Sequence, residues 1–550
     1  MSGNRNVRRL IGGAGTGKTS AILDEMNRGI EELRLSPSDI GFVTFTRNGR
    51  QVMARRASEA WACDESLLTK EGHFRTAHST ALKQTGVSRD RLLTDSRESK
   101  EWLAEHLDAD FCEGDDESSE CRFATDGDAG RSLELWSLSR NTLRSLDEVY
   151  DLAVDKGDRL PSRDTVKEMV ERYESAKRVD RRLDYTDLLA EFAGVSFHVS
   201  GHSNKTPVGD VPEMRMLCID EAQDASALVD RVCRRMAESP SVERCLIVGD
   251  NFQSIFGFSG GSAKHFMSWD AEQTIMPRSY RCPAPIMELG ERCLQQMRHD
   301  YFHRDIAPAS HDGVIEQAGD CSEAISSFID LREKTLILAR CDYSLRRYEA
   351  ELTQQGIPYT RLGYGGSDVH VGCKALWDLE RGRFIRNDQL AVAVQLITAS
   401  GEILSRGAKS AWERGDFEDF DLIQREDLQA VGCSASGADL IATGRWMPFI
   451  APRHQSEAEK WVDAANRHGP ELASSPKVEL STIHAAKGAE ADTVILCSES
   501  SKQVQRGSRL SDCCHDEECR LAYVAVTRAR RRLVVVEDGR RHRIALPFAC

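Results

Sequence analysis

"LIGGAGTGKTS", Leu10 to Ser20, is the stretch on which the fold turns. Gly12, four intervening residues, then Gly17, Lys18 and Thr19 make a phosphate-loop pattern. The run Asn6 to Ile11 before it reads as a short strand. After it, Ile22, Met26, Ile30 and Leu33 recur at helical spacing. A glycine-rich turn between strand and helix aims backbone N–H groups at an anion, and the helix N-terminus adds the positive end of its dipole. The sequence therefore predicts nucleotide phosphates cradled by Gly12, Gly13, Ala14, Gly15, Thr16, Gly17, Lys18, Thr19 and Ser20. In such a cradle Lys18 reaches the β- and γ-phosphates and Thr19 ligates Mg²⁺.

"CIDEAQDASA", Cys218 to Ala227, supplies the complementary charge. An apolar run ends on adjacent carboxylates, Asp220 and Glu221, and burying that pair is costly without a cation nearby. An isolated Asp-Glu pair would read as two surface acids at a helix start. Behind a phosphate loop, Asp220 is expected to hold Mg²⁺, and Glu221 to act as the general base that polarises the attacking water.

The chain has 550 residues, 40% hydrophobic and 29% charged, which fits three or four globular domains. It contains no apolar run long enough to span a membrane, and its N-terminus lacks the apolar core of a secretory signal. Seventeen cysteines without regular spacing read as reduced thiols in a cytoplasmic protein. "CCHDEEC" (Cys513, Cys514, His515, Cys519) lacks the paired spacing of a zinc site. The net charge of −15 argues weakly against nucleic acid, but binding depends on a local basic groove rather than on the whole-chain sum. Part of the acidity is local: Asp108 to Asp128 carries nine Asp or Glu against one Arg, and reads as a solvated surface loop.

Further short apolar runs, "IGFVTFT" (Ile40–Thr46), "RMLCID", "RCLIVGD", "TLILAR" (Thr335–Arg340), "DTVILC" (Asp492–Cys497) and "RLVVVE" (Arg532–Glu537), alternate with helical patterns. That alternation predicts an α/β fold with parallel sheets. Residues 365–476 are the least legible part, with helical pieces but no recognisable chemistry.

The order of the remaining motifs resembles the UvrD/Rep-like branch of superfamily 1 helicases. "TFTRNGRQVMARR" (Thr44–Arg56), "TAHSTAL" (Thr76–Leu82), "LDYTDLL" (Leu183–Leu189), "VGDNFQSIFGFSGG" (Val248–Gly261), "SYRCP" (Ser279–Pro283), "LSTIHAAKGAEADTVIL" (Leu480–Leu496) and "RLAYVAVTRARRRLVVV" (Arg520–Val536) follow one another as that family's motifs do. The resemblance implies two RecA-like domains with parallel sheets, each carrying a mainly helical insertion. The expected division is 1–80 with 190–275, insertion 81–189, then 276–364 with 477–550, insertion 365–476. It also implies an ATP-driven motor moving 3′ to 5′ on single-stranded DNA and unwinding 3′-tailed duplex, as in repair or replication.

Roles follow by position. Gln253 senses the γ-phosphate, Arg281 and Arg528 contact it from the second motor half, Tyr280 stacks near the adenine, and Gly488 and Glu490 meet the nucleotide sugar. Phe258 and Phe45 are the candidate base-stacking aromatics, and Thr46, Arg47, His78 and Ser79 the candidate backbone contacts. His484 reads equally as a coupling residue or an ordinary core histidine, while Arg50, Arg55 and Arg56 also fit the wet face of a helix.

Some positions depart from the family. Ser20 stands where many members carry an arginine that flanks the base, and Ser259 replaces an arginine after the stacking aromatic. The upstream glutamine segment that reads adenine has no room before the phosphate loop, so loose nucleotide selectivity is expected. A compact motor of this kind leaves room for a protein partner that activates unwinding; the oligomeric state is not legible. Two alternatives stay open: a nucleic-acid-gated regulatory ATPase of a repair or phage-defence module, and a P-loop kinase, which the later motifs argue against.

Overall fold

A computed structural model of the chain describes residues 6–94, 96–107, 111–112, 122–123, 127–362, 368–398, 402–417, 420–537, 543–544 and 546–547. Two six-stranded sheets organise it. The strands of the first are β1 (Asn6–Ile11), β2 (Ile40–Thr44), β3 (His73–Thr76), β4 (Met216–Ile219), β5 (Arg244–Gly249) and β6 (Glu272–Ile275). Their spatial order is β6-β1-β5-β4-β2-β3, and every pairing is parallel. The second sheet holds β7 (Val314–Ala318), β8 (Thr335–Ala339), β9 (Tyr359–Arg361), β10 (Val478–Thr482), β11 (Ala491–Cys497) and β12 (Ala529–Val536). Its order is β7-β12-β11-β8-β10-β9, again parallel throughout. These are two RecA-like α/β units.

Three of the inner strands are buried along their whole length, as parallel strands covered by helices on both faces can be. In β2 "IGFVT", β4 "MLCI" and β8 "TLILA" every residue is buried, whereas the edge strand β6 "EQTI" is mostly exposed. Helix α1 (Lys18–Leu33) packs Ile22 and Met26 against the first sheet, with Gly29 so close to Met216 that a β-carbon there would lie 2.6 Å from its sulfur. β2 stops at Thr44, short of the expected Thr46, because Thr46 turns to cap α2 (Arg47–Trp61) and accepts the Gly49 N–H.

Each unit carries a helical lobe with its own core. In the first, Trp102, Leu133, Trp136, Val166 and Tyr173 pack between α4 (Asp128–Thr142), α5 (Arg163–Val179) and their neighbours; α3 (Ala77–Thr85) and α6 (Tyr185–Ala193) lie at the junction with the sheet. The second spans the stretch that sequence reading left nearly blank; Trp377, Trp412, Trp446 and Trp461 are all buried in one cluster there. The acidic segment 108–128 falls almost wholly outside the described residues. Cys513, Cys514, His515 and Cys519 lie on α7 (Asp512–Val526); among the described residues no three-residue group at metal-ligand spacing includes them. The two units share an apolar cluster: Ala14, Phe252 and Ile255 of the first pack with Cys282, Ile286 and Tyr523.

Candidate nucleotide site and nucleic-acid interface

Parallel strands deliver their C-terminal ends to one edge of a sheet, and in open α/β sheets that edge is where ligands bind. At this edge β1 leads into the phosphate loop, whose Gly12 N–H donates to Gly249 O at 2.9 Å. Gly15 (φ +68°) and Gly17 (φ +83°) occupy the left-handed region. A β-carbon on Gly15 would sit 2.2 Å from the β-carbon of Arg281, so this glycine is required by backbone and by packing alike. Lys18 Nζ donates to Gly12 O at 3.1 Å, and Ser20 is exposed on the first turn of α1. The second unit lies directly on the loop: Tyr280 N–H donates to Gly15 O at 2.8 Å, Ser279 Oγ to Ala14 O at 2.8 Å, and the Ala14 N–H to the Tyr523 hydroxyl at 3.1 Å. Tyr280 is largely exposed, with its ring beside Gly17.

Asp220 follows β4, anchored by its N–H to Val43 O at 2.9 Å, with its side chain buried. Burial first, and then the Glu221 charge, push Asp220 up to about 7 against the opposing pull of Lys18. Glu221 is a non-glycine residue at φ 54°, a conformation costing about 1–2 kcal/mol. The Gln223 amide donates to its carboxylate at 2.5 Å and accepts the Asp250 N–H at 2.9 Å. Burial raises Glu221, but Lys18 and Lys487 outweigh it and hold the carboxyl below its ordinary value. The environment thus pushes the two adjacent carboxyls in opposite directions, Asp220 up and Glu221 down. Asp224, raised to about 6 chiefly by burial, forms an ion pair with Lys487, whose Nζ also donates to Gln253 O at 2.7 Å.

Arg528 is buried at the end of α7. It donates to Val524 O at 3.0 Å, to Ala489 O at 3.2 Å and to Gln253 Oε1 at 3.3 Å. Burial, and then the charge of Arg281, lower it to about 10. Among the described residues no carboxylate forms an ion pair with it, whereas Arg281 is paired with Glu490, which also holds Arg530 at 2.8 Å. Gln253 donates to Asp250 Oδ2 at 2.8 Å, and Asp250 is fully buried against Arg304 at 2.6 Å. A buried guanidinium that no carboxylate pairs among the described residues suits a polyphosphate. Thr19 and Asp220 offer a hydroxyl and a carboxylate, the oxygen donors that a hard cation such as Mg²⁺ takes. Gly488, at φ +86°, has open space around it.

The predicted strand contacts fall into two groups. Thr46 and Arg47 begin α2, and His78 and Ser79 begin α3, after neighbouring strands registered Thr44 to Thr76. Phe45 is half-buried against the core, and His78 meets the Tyr185 ring edge-on at 5.8 Å. Phe258 is 43% exposed and faces His484 at 5.7 Å, with Phe256 5.9 Å away. The structure thereby joins Phe258 of one unit to His484 of the other in a single aromatic group.

Sequence reading passed over Tyr523, Lys487, Gln223 and Arg304. The first three stand inside quoted motifs, "LAYVAV", "HAAKGAE" and "DEAQD", and spacing to known roles could have flagged them. Arg304 carries no local signal; only the fold brings it to Asp250.

Two RecA-like units meeting on one phosphate loop, with arginines of the second beside it, define the class of nucleotide-driven two-lobed motors. Comparison with known proteins narrows the class. Residues 4–273 match the UvrD/REP helicase N-terminal domain, and residues 464–537 match the UvrD-like helicase C-terminal domain. ATP-dependent DNA helicase UvrD2 of Mycobacterium tuberculosis is 27% identical over 96% of this chain and 76% of its own length. DNA helicase II of Rickettsia typhi is 24% identical over 64% of this chain and 54% of its own length, and ATP-dependent DNA helicase srs2 of Schizosaccharomyces pombe 22% over 64% and 42%. The chain belongs to the UvrD/Rep-like superfamily 1 family of ATP-dependent DNA helicases. No helix among the described residues is long and apolar enough to cross a membrane.

Proposed function

We propose that this chain is a 3′–5′ translocase that hydrolyses ATP to move along single-stranded DNA in the cytoplasm and opens 3′-tailed duplex. The observation that carries the reading is the contact of Arg528 with Gln253 across the cleft, at 3.3 Å. It links the second motor half to the γ-phosphate sensor of the first. The division into halves 1–80 with 190–275 and 276–364 with 477–550, with insertions 81–189 and 365–476, is supported by the separate cores of the two helical lobes.

In the proposed cycle the loop amides and Lys18 bind the phosphates, and Tyr280 and Glu490 orient base and sugar. Thr19 and Asp220 would hold Mg²⁺, which would supply neutralisation of the phosphate charge. Glu221 accepts the proton of the attacking water as its oxygen bonds to phosphorus and ADP leaves. Arg281 and Arg528 stabilise the transferring phosphoryl, a contribution of about 10³–10⁵ in rate for such arginines. For Arg281 this requires release from Glu490, so nucleotide competes with that ion pair. Because the arginines reach the phosphate only when the halves close, ATP and its products favour different closures. Phe258, His484, Phe45, Thr46, Arg47, His78 and Ser79 grip the strand.

An unwinding assay on duplexes with a 3′ or a 5′ single-stranded tail tests polarity. Strand separation from the 3′ tail alone supports the reading. Preference for the 5′ tail refutes it, and ATP turnover without separation on either would favour a regulatory ATPase.

A further inference from the structure

A buried ion network lies between the first helical lobe and the motor core, and none of the roles above uses it. Arg140 on α4 is 1% exposed and forks onto Asp184, with Nη1 to Oδ1 at 3.1 Å and Nη2 to Oδ2 at 2.8 Å; it also reaches Asp187 Oδ1 at 3.0 Å. Lys177 on α5 is 3% exposed and donates to the same two acids at 3.0 and 2.6 Å, and to Glu174 at 3.0 Å. The Tyr173 hydroxyl donates to Asp184 at 2.9 Å, and the Trp136 indole to Glu174 at 2.6 Å. Asp184 and Asp187 are at once the reciprocal cap of α6, each accepting the other's backbone N–H. The cations come from the lobe, and the acids that cap α6 come from the "LDYTDLL" motif.

Both joined helices lead to the proposed strand track. The last turn of α4 abuts the turn that carries Phe258: a β-carbon on Gly260 would lie 3.1 Å from Thr142 Cγ2 and 3.3 Å from Asn141 Cβ. The first residue of α6 is Tyr185, whose ring meets His78. Replacing such a network with apolar groups is often neutral for stability, but removing one partner strands a buried charge, and the best-attested use of such groups is to fix register.

We propose that Arg140 and Lys177 are positioning residues for strand binding: their network with Asp184 and Asp187 locks the helix that seats the Phe258 turn to the helix that carries Tyr185. The inference rests on the strand-track reading above. It assigns "LDYTDLL" a mechanical role, holding the two groups of strand contacts at one spacing.

The test uses the full chain. Arg140→Lys keeps a cation but loses the fork, and Asp187→Asn keeps the size but loses a charge. Each is made alone and combined with Phe258→Ala. Anisotropy of a labelled oligothymidine gives strand affinity at fixed salt, and ATP turnover is titrated with the same strand. Both single variants are expected to weaken strand affinity about fivefold or more, a share of what one base stack supplies. The half-saturating strand concentration rises in step while turnover at saturating strand holds. In the Phe258→Ala background the loss shrinks below about twofold, since both changes act through one turn. A lowered thermal midpoint with unchanged affinity, or a full loss added to that of Phe258→Ala, overturns the proposal. If Arg140→Lys does not fold, Asp187→Asn is read against the same outcomes. Unchanged affinity in Phe258→Ala overturns the strand track and this inference together; a loss there with none at Arg140 and Asp187 overturns this inference alone.

Discussion

Arg528 and Gln253 stand 275 residues apart in sequence and meet at 3.3 Å, guanidinium to amide oxygen, inside a buried site. Arg528 therefore sets its charge against carbonyl and amide oxygens, and no acid among the described residues pairs with it. A γ-phosphate is the partner that would repay its desolvation.

Replacing Arg528 with Ala should lower ATP turnover by about 10³ or more, the scale of an arginine finger. Nucleotide binding, which rests on the loop and Lys18, should persist. Steady-state hydrolysis with a fluorescent-nucleotide binding assay checks both. Turnover within tenfold of the parent would remove Arg528 from the chemistry.

Gly15→Ala should disable turnover by forcing Arg281, and the second motor half with it, off the loop. The added carbon would lie 2.2 Å from Arg281 Cβ, on a backbone already at φ +68°. The loop and the second motor half then cannot approach as they do here. Hydrolysis at or near the parent rate would mean that this close approach is not part of the working cycle.

Phe258→Ala should weaken single-strand affinity by about 1–3 kcal/mol, the range for one base stack. A salt titration of the parent should give a slope of about −0.7 per phosphate contact. An unchanged Kd would make Phe258 a packing residue, and salt-insensitive binding would not fit a backbone track.

The buried acids of α6 predict a pH signature. Burial, and then the Asp184 charge, raise Asp187 from its ordinary 3.8 to about 6. Between about pH 4 and pH 6 the folded chain keeps a proton that the unfolded chain gives up, so this group costs stability as pH rises through that window. Asp184 moves the opposite way: burial raises it, but Arg140 and Lys177 together outweigh burial, so its contribution is lost only below its ordinary value, outside the window. Relative to Asp187→Asn, the parent's thermal midpoint should fall from pH 4 to pH 6 and level off above. A constant difference across the range would contradict the network's electrostatics.

What could be read without the structure was local and repetitive. Strands such as "TLILA" and "MLCI" announce themselves because burial on both faces makes them almost wholly apolar, and the phosphate loop does so because φ +68° and +83° favour glycine. Lys18, Asp220 and Glu221 followed from that loop. Arg304 did not, since its meeting with Asp250 is set by the path of a segment without periodicity. The second lobe stayed nearly blank because its four buried tryptophans lie far apart in sequence on separate elements, and no single window shows the face they share. Nothing local in the sequence marks Arg140 and Lys177; their burial depends on Asp184 and Asp187, two acids that arrive at the start of α6.

The most direct measurement is ATP turnover by the purified chain with and without single-stranded DNA, for the parent and for Arg528→Ala. The account predicts strong stimulation by the strand in the parent and its near-complete loss in the variant. Turnover indifferent to DNA, or stimulation that survives in Arg528→Ala, would contradict a motor whose two halves close on one triphosphate.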